Sequence, residues 1–239
     1  MRKKVILFDL DGTLLPQDQD KFIAAYFGVL AHKLISIGFP YSDEGDKDKL
    51  TKGIWSATYA MMKNDGGATN EDAFFSTFGA LTGFDISDKK DLFDEFYKNE
   101  FQAVSATCWK NPIIPDVISK LKDDGYRIAV ATNPLFPLIA NKYRLQWAGL
   151  DINDFEYCTS YETSRYCKPN LKYYEAILNH LSVRADDCLM VGNDVREDMI
   201  ARELGIDVFL ITDCIINSEN RDINDFSHGS WNDFLKFIE

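Results

Sequence analysis

Short runs that are apolar on nearly every residue recur along this chain, separated by stretches of helical pattern. Val5–Phe8, Arg127–Ala131, Cys188–Val191 and Val208–Ile211 are such runs, and Phe155–Thr159 is a weaker fifth. A strand with one wet face alternates polar and apolar residues. A run without alternation needs cover on both faces, as in a parallel sheet flanked by helices. Pro115 suits the first turn of a helix running to about Asp124 and ended by Gly125. Pro169 suits the start of another over Leu171–Leu181, with Leu171, Tyr174, Ile177, Leu178 and Leu181 on one face. A third is expected from Asp194 to Leu204, stopping at Gly205. This alternation predicts an α/β fold with a doubly wound, Rossmann-like parallel sheet.

The segment from Pro16 to about Thr107 follows another pattern. Phe22, Ala25, Tyr26, Val29, Leu30, Leu34 and Ile37 form an apolar stripe at helical spacing. A second helix is expected over Lys49–Lys63 after a polar, acidic loop from Tyr41 to Asp48. Asn70 is placed as the cap of a third, with Ala73, Phe74, Thr77 and Phe78 inward. Ser87 is placed as the cap of a fourth, with Leu92, Phe93, Phe96 and Tyr97 inward. The expected organisation is an α/β core of residues 1–16 and 108–239, with residues 17–107 inserted as an all-helical unit. Its aromatic stripes are expected to form that unit's own core. Lys52, Trp55 and Lys63 are candidate substrate contacts, but surface lysines and a packed tryptophan explain them equally well.

Charge and cysteine usage narrow the partners. Acidic residues outnumber basic ones 38 to 26, a net charge of −12. Such a surface repels nucleic-acid backbones and anionic membranes, but not a small phosphorylated molecule in a locally positive pocket. No stretch approaches the roughly 20 apolar residues of a membrane helix. The basic start Met1-Arg2-Lys3-Lys4 precedes only four apolar residues before Asp9, too few for a signal peptide. The five cysteines are odd in number and scattered, which fits free thiols and a cytoplasmic location. Nothing in the sequence specifies an oligomeric state.

Four polar clusters fall at the carboxyl ends of expected strands. Asp9 and Asp11, in Phe8-Asp9-Leu10-Asp11-Gly12-Thr13, follow the first. Alternation would put both carboxylates on one side, where ionising the pair is favourable beside a cation such as Mg²⁺. Thr132 and Asn133 follow the second and offer a hydroxyl and amides for a phosphate oxygen. Lys168-Pro169 precedes a helix, where an ammonium is unfavourable unless an anion lies between it and the helix dipole. Gly192-Asn193-Asp194 with Asp198 adds further oxygen donors. These strand ends share one sheet edge, where ligands bind in open α/β folds. The combination suits one divalent cation and one phosphoryl group.

Asp9-Leu10-Asp11-Gly12-Thr13, Gly125 through Asn133 with Thr132 in place, Lys168-Pro169, and Gly192-Asn193-Asp194 with Asp198 resemble the four motifs of the haloacid dehalogenase-like phosphohydrolases. The resemblance implies a Mg²⁺-dependent phosphohydrolase acting on small phosphate monoesters through an aspartyl-phosphate. Asp9 would be the nucleophile and Asp11 the acid and base. Thr132, Asn133 and Lys168 would bind the phosphoryl group, with Thr132 and Lys168 also catalytic. Asp9, Asp11 and Asp194 would contact the metal, and Asp198 would be a further ligand or outer partner. Asn193 stands where many members carry a charged residue. The insertion corresponds to a helical cap, and the short stretch from Thr132 to Lys168 leaves no room for a large second one. Asp11 argues against dehalogenation, since true dehalogenases lack the second aspartate. The alternative within the family is a phosphomutase acting on sugar phosphates. A phosphorelay receiver domain is excluded by length and by the acidic cluster after Lys168.

Overall fold

A computed structural model describes residues 4–238; Met1 to Lys3 of the basic start, and Glu239, lie outside the described residues. The sheet has six parallel strands: β1 Val5–Phe8, β2 Arg127–Val130, β3 Tyr157–Cys158, β4 Cys188–Gly192, β5 Asp207–Ile211 and β6 Ser227–Gly229. Their order is β3-β2-β1-β4-β5-β6. The order reverses between β1 and β4, the topological switch point where such sheets bind ligands. Phe8 is in register with Val130 on one side and Val191 on the other, so Asp9, Thr132 and Asn193 emerge at the same edge.

The continuous apolar runs are buried on both faces. Ile6 and Phe8 face one cluster with Val117, Trp231 and Phe234, while Val5 and Leu7 face another with Tyr173 and Ile177. Their cover comes from helices α5 (Ile113–Asp123) and α8 (Trp231–Ile238) on the first side and α7 (Leu171–Leu181) on the second. Helix α6 (Leu138–Ala148) follows β2. The helical insertion contributes α1 (Gln19–Ser36), α2 (Glu44–Met62), α3 (Asn70–Thr82) and α4 (Lys90–Lys98), then a 3-10 helix over Glu100–Thr107. No helix of the described residues is long and apolar enough to cross a membrane. Among the described residues the five cysteines form no disulfide.

Several local expectations are corrected. Asp194–Leu204 is a turn and a short 3-10 helix over Met199–Leu204, because the Asp194 and Asp198 side chains are drawn into local and site contacts. The cap of α3 is Thr69, which accepts from the Asp72 amide; Asn70 is its first residue and is wholly buried. Ser87 does not cap α4, which begins at Lys90 without a side-chain cap. Leu92 is exposed rather than inward. Pro169 lies just before α7 rather than in its first turn, and Asn170 supplies the cap. Helix α2 starts at Glu44 inside the expected loop, since Asp43 supplies its cap. The strand expected over Phe155–Thr159 is confined to two residues.

Candidate active site

Asp9 lies one residue past β1, its amide bonded to the Val191 carbonyl. The chain then turns at Gly12, whose φ is +78°. A Cβ there would stand 2.3 Å from the Asn193 Nδ2, so both the conformation and the close approach require glycine. The buried Thr13 hydroxyl lies 2.9 Å from Asn193 Oδ1 and 3.2 Å from Asp9 Oδ2, tying the ends of β1 and β4 together. Asn193 also donates to the Cys214 carbonyl.

Lys168 is buried and bridges two carboxylates. Its Nζ donates to Asp9 Oδ1 at 2.8 Å and to Asp198 Oδ1 at 2.6 Å. Burial opposes the ammonium, but Asp198 and Asp9 outweigh it and hold Lys168 well above the ordinary lysine range. One cation cannot neutralise both acids. Burial, with the Asp9 charge added, pushes Asp198 up to about 7 despite Lys168. The other Asp198 oxygen accepts from the Asp194 amide at 2.9 Å.

The loop after β2 is pinned from below. The Thr132 carbonyl accepts from the Thr159 and Tyr173 hydroxyls at 2.6 and 2.8 Å. The Thr132 hydroxyl and Asn133 Oδ1 are buried without a hydrogen-bond partner among the described residues. Asn133 Nδ2 donates to Glu197 Oε2 at 2.9 Å. Asp194 Oδ1 accepts from the Arg196 and Glu197 amides, which shapes the turn after β4.

Two further residues enter the site without having been singled out from the sequence. Arg144, on α6, is fully buried and pairs with Asp11 Oδ2. It also donates to Asn141 at 2.8 Å and stacks 4.5 Å from the Phe136 ring centroid. Its signal was an arginine and an asparagine on the buried face of a helix that had not been anticipated. Glu197 faces the same cavity; burial, with Asp194, Asp198 and Asp9 nearby, raises its carboxyl to about 7. Burial also raises Asp11, opposed by Arg144 and reinforced by Asp9, and Asp11 Oδ1 has no partner among the described residues.

Asp9, Asp11, Thr132, Asn133, Asp194 and Asp198 all line one cavity of about 430 Å³. Lys168 lies behind Asp9 and does not line it. Among the described residues no three His, Cys, Asp or Glu side chains form a ready-made cation site. The donors at the cavity floor are nevertheless oxygens, several unpartnered, with more acids than cations. That set fits a hard divalent ion that keeps water and ligand oxygens in its shell, rather than one caged wholly by protein.

A family model described as a haloacid dehalogenase-like hydrolase matches residues 3–205. The chain is 26% identical over 215 residues to a phosphoglycolate phosphatase of Colwellia psychrerythraea, covering 86% of this chain and 82% of that protein. It is 26% identical over 220 residues to a glyceraldehyde 3-phosphate phosphatase of Methanothermobacter thermautotrophicus, covering 90% and 88%. Among solved structures it resembles the HAD-hydrolase YfnB from Bacillus subtilis, bound to magnesium, with a TM-score of 0.56 and 19% identity over 100% of this chain and 99% of that one.

Proposed function

The chain belongs to the haloacid dehalogenase-like hydrolases, and from that membership we propose that it hydrolyses small phosphate monoesters, with Asp9 as the phosphoryl acceptor. The observation that carries this reading is Lys168 Nζ locked between Asp9 and Asp198, with Asp11 and the unpartnered Thr132 hydroxyl on the same cavity. Relatives named as phosphatases of phosphoglycolate and glyceraldehyde 3-phosphate support it.

Asp9 attacks phosphorus, forming a bond to one carboxylate oxygen as the bond to the ester oxygen breaks. Lys168 orients Asp9 through its other oxygen and offsets its charge. Asp11 gives its proton to the departing alkoxide; burial favours the neutral acid this step needs. Water then attacks the aspartyl-phosphate, Asp11 recovers a proton from it, and inorganic phosphate leaves. Thr132 and Asn133 bind the phosphoryl oxygens that gain charge. Bound Mg²⁺, held by Asp9, the Asp11 carbonyl and the Asn193-Asp194 segment, would screen the repulsion between the Asp9 carboxylate and the phosphate. Asp198 serves as the partner of Lys168. Residues 17–107 act as a cap over the core of residues 1–16 and 108–239, excluding water during the reaction.

The test is turnover of p-nitrophenyl phosphate with Mg²⁺. Asp9→Asn is expected to abolish it, a loss of about 10³-fold or more, with inorganic phosphate as the product of the parent. Unchanged turnover in Asp9→Asn protein would remove Asp9 from the mechanism.

A further inference from the structure

The floor of the cavity is acidic and polar, but its roof is neither. Phe27, Trp55, Met62, Phe75 and Tyr97, from α1 to α4, line the same cavity as Asp9 and Asp11 and make up its roof. None of the described residues lining it is Lys, Arg or His. The roof's few polar groups are all neutral, and several are already engaged. The Tyr26 and Tyr97 hydroxyls bond each other at 3.0 Å, and the Thr58 hydroxyl donates to the Ile54 carbonyl. Gln19 accepts from Gln17. The buried cations nearby are engaged too, Lys168 by Asp9 and Asp198 and Arg144 by Asp11. Lys52 and Lys63 are exposed and do not line the cavity.

A second anionic group on the ligand would therefore lose its water and gain no cation, and sugar hydroxyls would meet rings. An apolar group would gain burial against aromatic faces. We propose that this cavity takes phosphate monoesters of uncharged, apolar alcohols, with the phosphoryl group on the acidic floor and the hydrocarbon under the aromatic roof. The inference rests on the phosphatase reading and narrows its substrate class.

Esters with alkoxide leaving groups keep intrinsic reactivity comparable, so 2-phenylethyl phosphate and n-octyl phosphate are compared with 2-phosphoglycolate and glucose 6-phosphate. The apolar esters are expected to have a kcat/KM at least about tenfold higher, as burial of a ring or chain implies. Trp55 and Met62 are 50% and 43% exposed, so their replacement spares the fold. Trp55→Ala should lower kcat/KM for 2-phenylethyl phosphate about tenfold, chiefly through KM, a larger loss than for methyl phosphate. Met62→Lys should narrow the gap with phosphoglycolate by placing a cation at the rim. Preferred hydrolysis of phosphoglycolate or glucose 6-phosphate by the parent overturns the inference while sparing the phosphatase reading. If no ester turns over, calorimetric binding to the intact parent decides. Tighter binding of octyl phosphate than of phosphoglycolate then supports the apolar site, equal or weaker binding overturns it, and the catalytic reading has failed separately.

Discussion

Lys168 carries one charge between Asp9 and Asp198 in a place almost closed to water. Removing one member of a buried ionic cluster leaves the others uncompensated, which commonly costs about 3–5 kcal/mol. Lys168→Met is therefore expected to lower the unfolding free energy by that order, measured by urea denaturation. Asp198→Asn in that background should recover part of the loss. Glu197 adds a pH dependence with a definite sign. Its carboxyl rises from 4.5 to about 7 in the folded protein, so between those values the folded chain keeps a proton that the unfolded chain releases. Its contribution to stability accordingly falls as pH rises from about 4.5 to about 7, by up to about 3 kcal/mol. Glu197→Gln should flatten that part of the curve in urea unfolding between pH 5 and 8; an unaltered slope would reassign it to other groups. Asp9, Asp11 and Lys168 were legible from the sequence because carboxylates beside a fully apolar strand, and a lysine before a helix, are costly without partners. Arg144 and Glu197 were not. The partner of Arg144 lies 133 positions away, and Glu197 is one acid among several until folding turns it toward Asn133.

Helices α2 and α3 meet where their side chains leave little room. A Cβ on Gly53 would stand 2.5 Å from Thr82 Cγ2 and 3.2 Å from Phe78 Cε2. Gly53→Ala should therefore push the two helices apart despite alanine's better helix propensity, at a cost of about 1–3 kcal/mol. Gly28, on the exposed side of α1, would meet nothing within 4 Å. Gly28→Ala should stabilise by about 0.5–1 kcal/mol, the usual gain at an unhindered helical site. Opposite shifts of the two urea midpoints would bear this out; shifts of the same sign would not. Periodicity revealed the helices of the insertion because their stripes repeat at 3.6 residues. It could not separate a core-facing aromatic from one facing a cavity, since both share the inner side. Phe78 and Phe96 are buried in the cluster expected from the stripe, whereas Phe75 and Tyr97 also line the cavity over Asp9. Helix α6 went unseen because Asn141 and Arg144 interrupt its buried face with polar groups.

The topology concentrates negative charge where the molecule can least dilute it. A net charge of −12 surrounds a sheet edge that already gathers Asp9, Asp11, Asp194, Glu197 and Asp198. Lys168 and Arg144 offset part of this, while burial first, and the neighbouring acids after it, raise Asp198 and Glu197. A divalent ion bound by the folded chain and not by the unfolded one shifts the folding equilibrium by mass action, about 2.7 kcal/mol at a hundred times its Kd. Mg²⁺ should therefore raise the melting temperature of the parent by several degrees, and EDTA should reverse the rise. General screening by salt is the competing cause, because an acidic surface is stabilised by any added electrolyte. NaCl at matched ionic strength separates the two, and Asp9→Asn localises the effect. Specific binding at the sheet edge requires a Mg²⁺ increment above NaCl in the parent and a smaller increment in the variant. Equal increments in both salts would mean that the surface, not the gathered acids, responds to the ion.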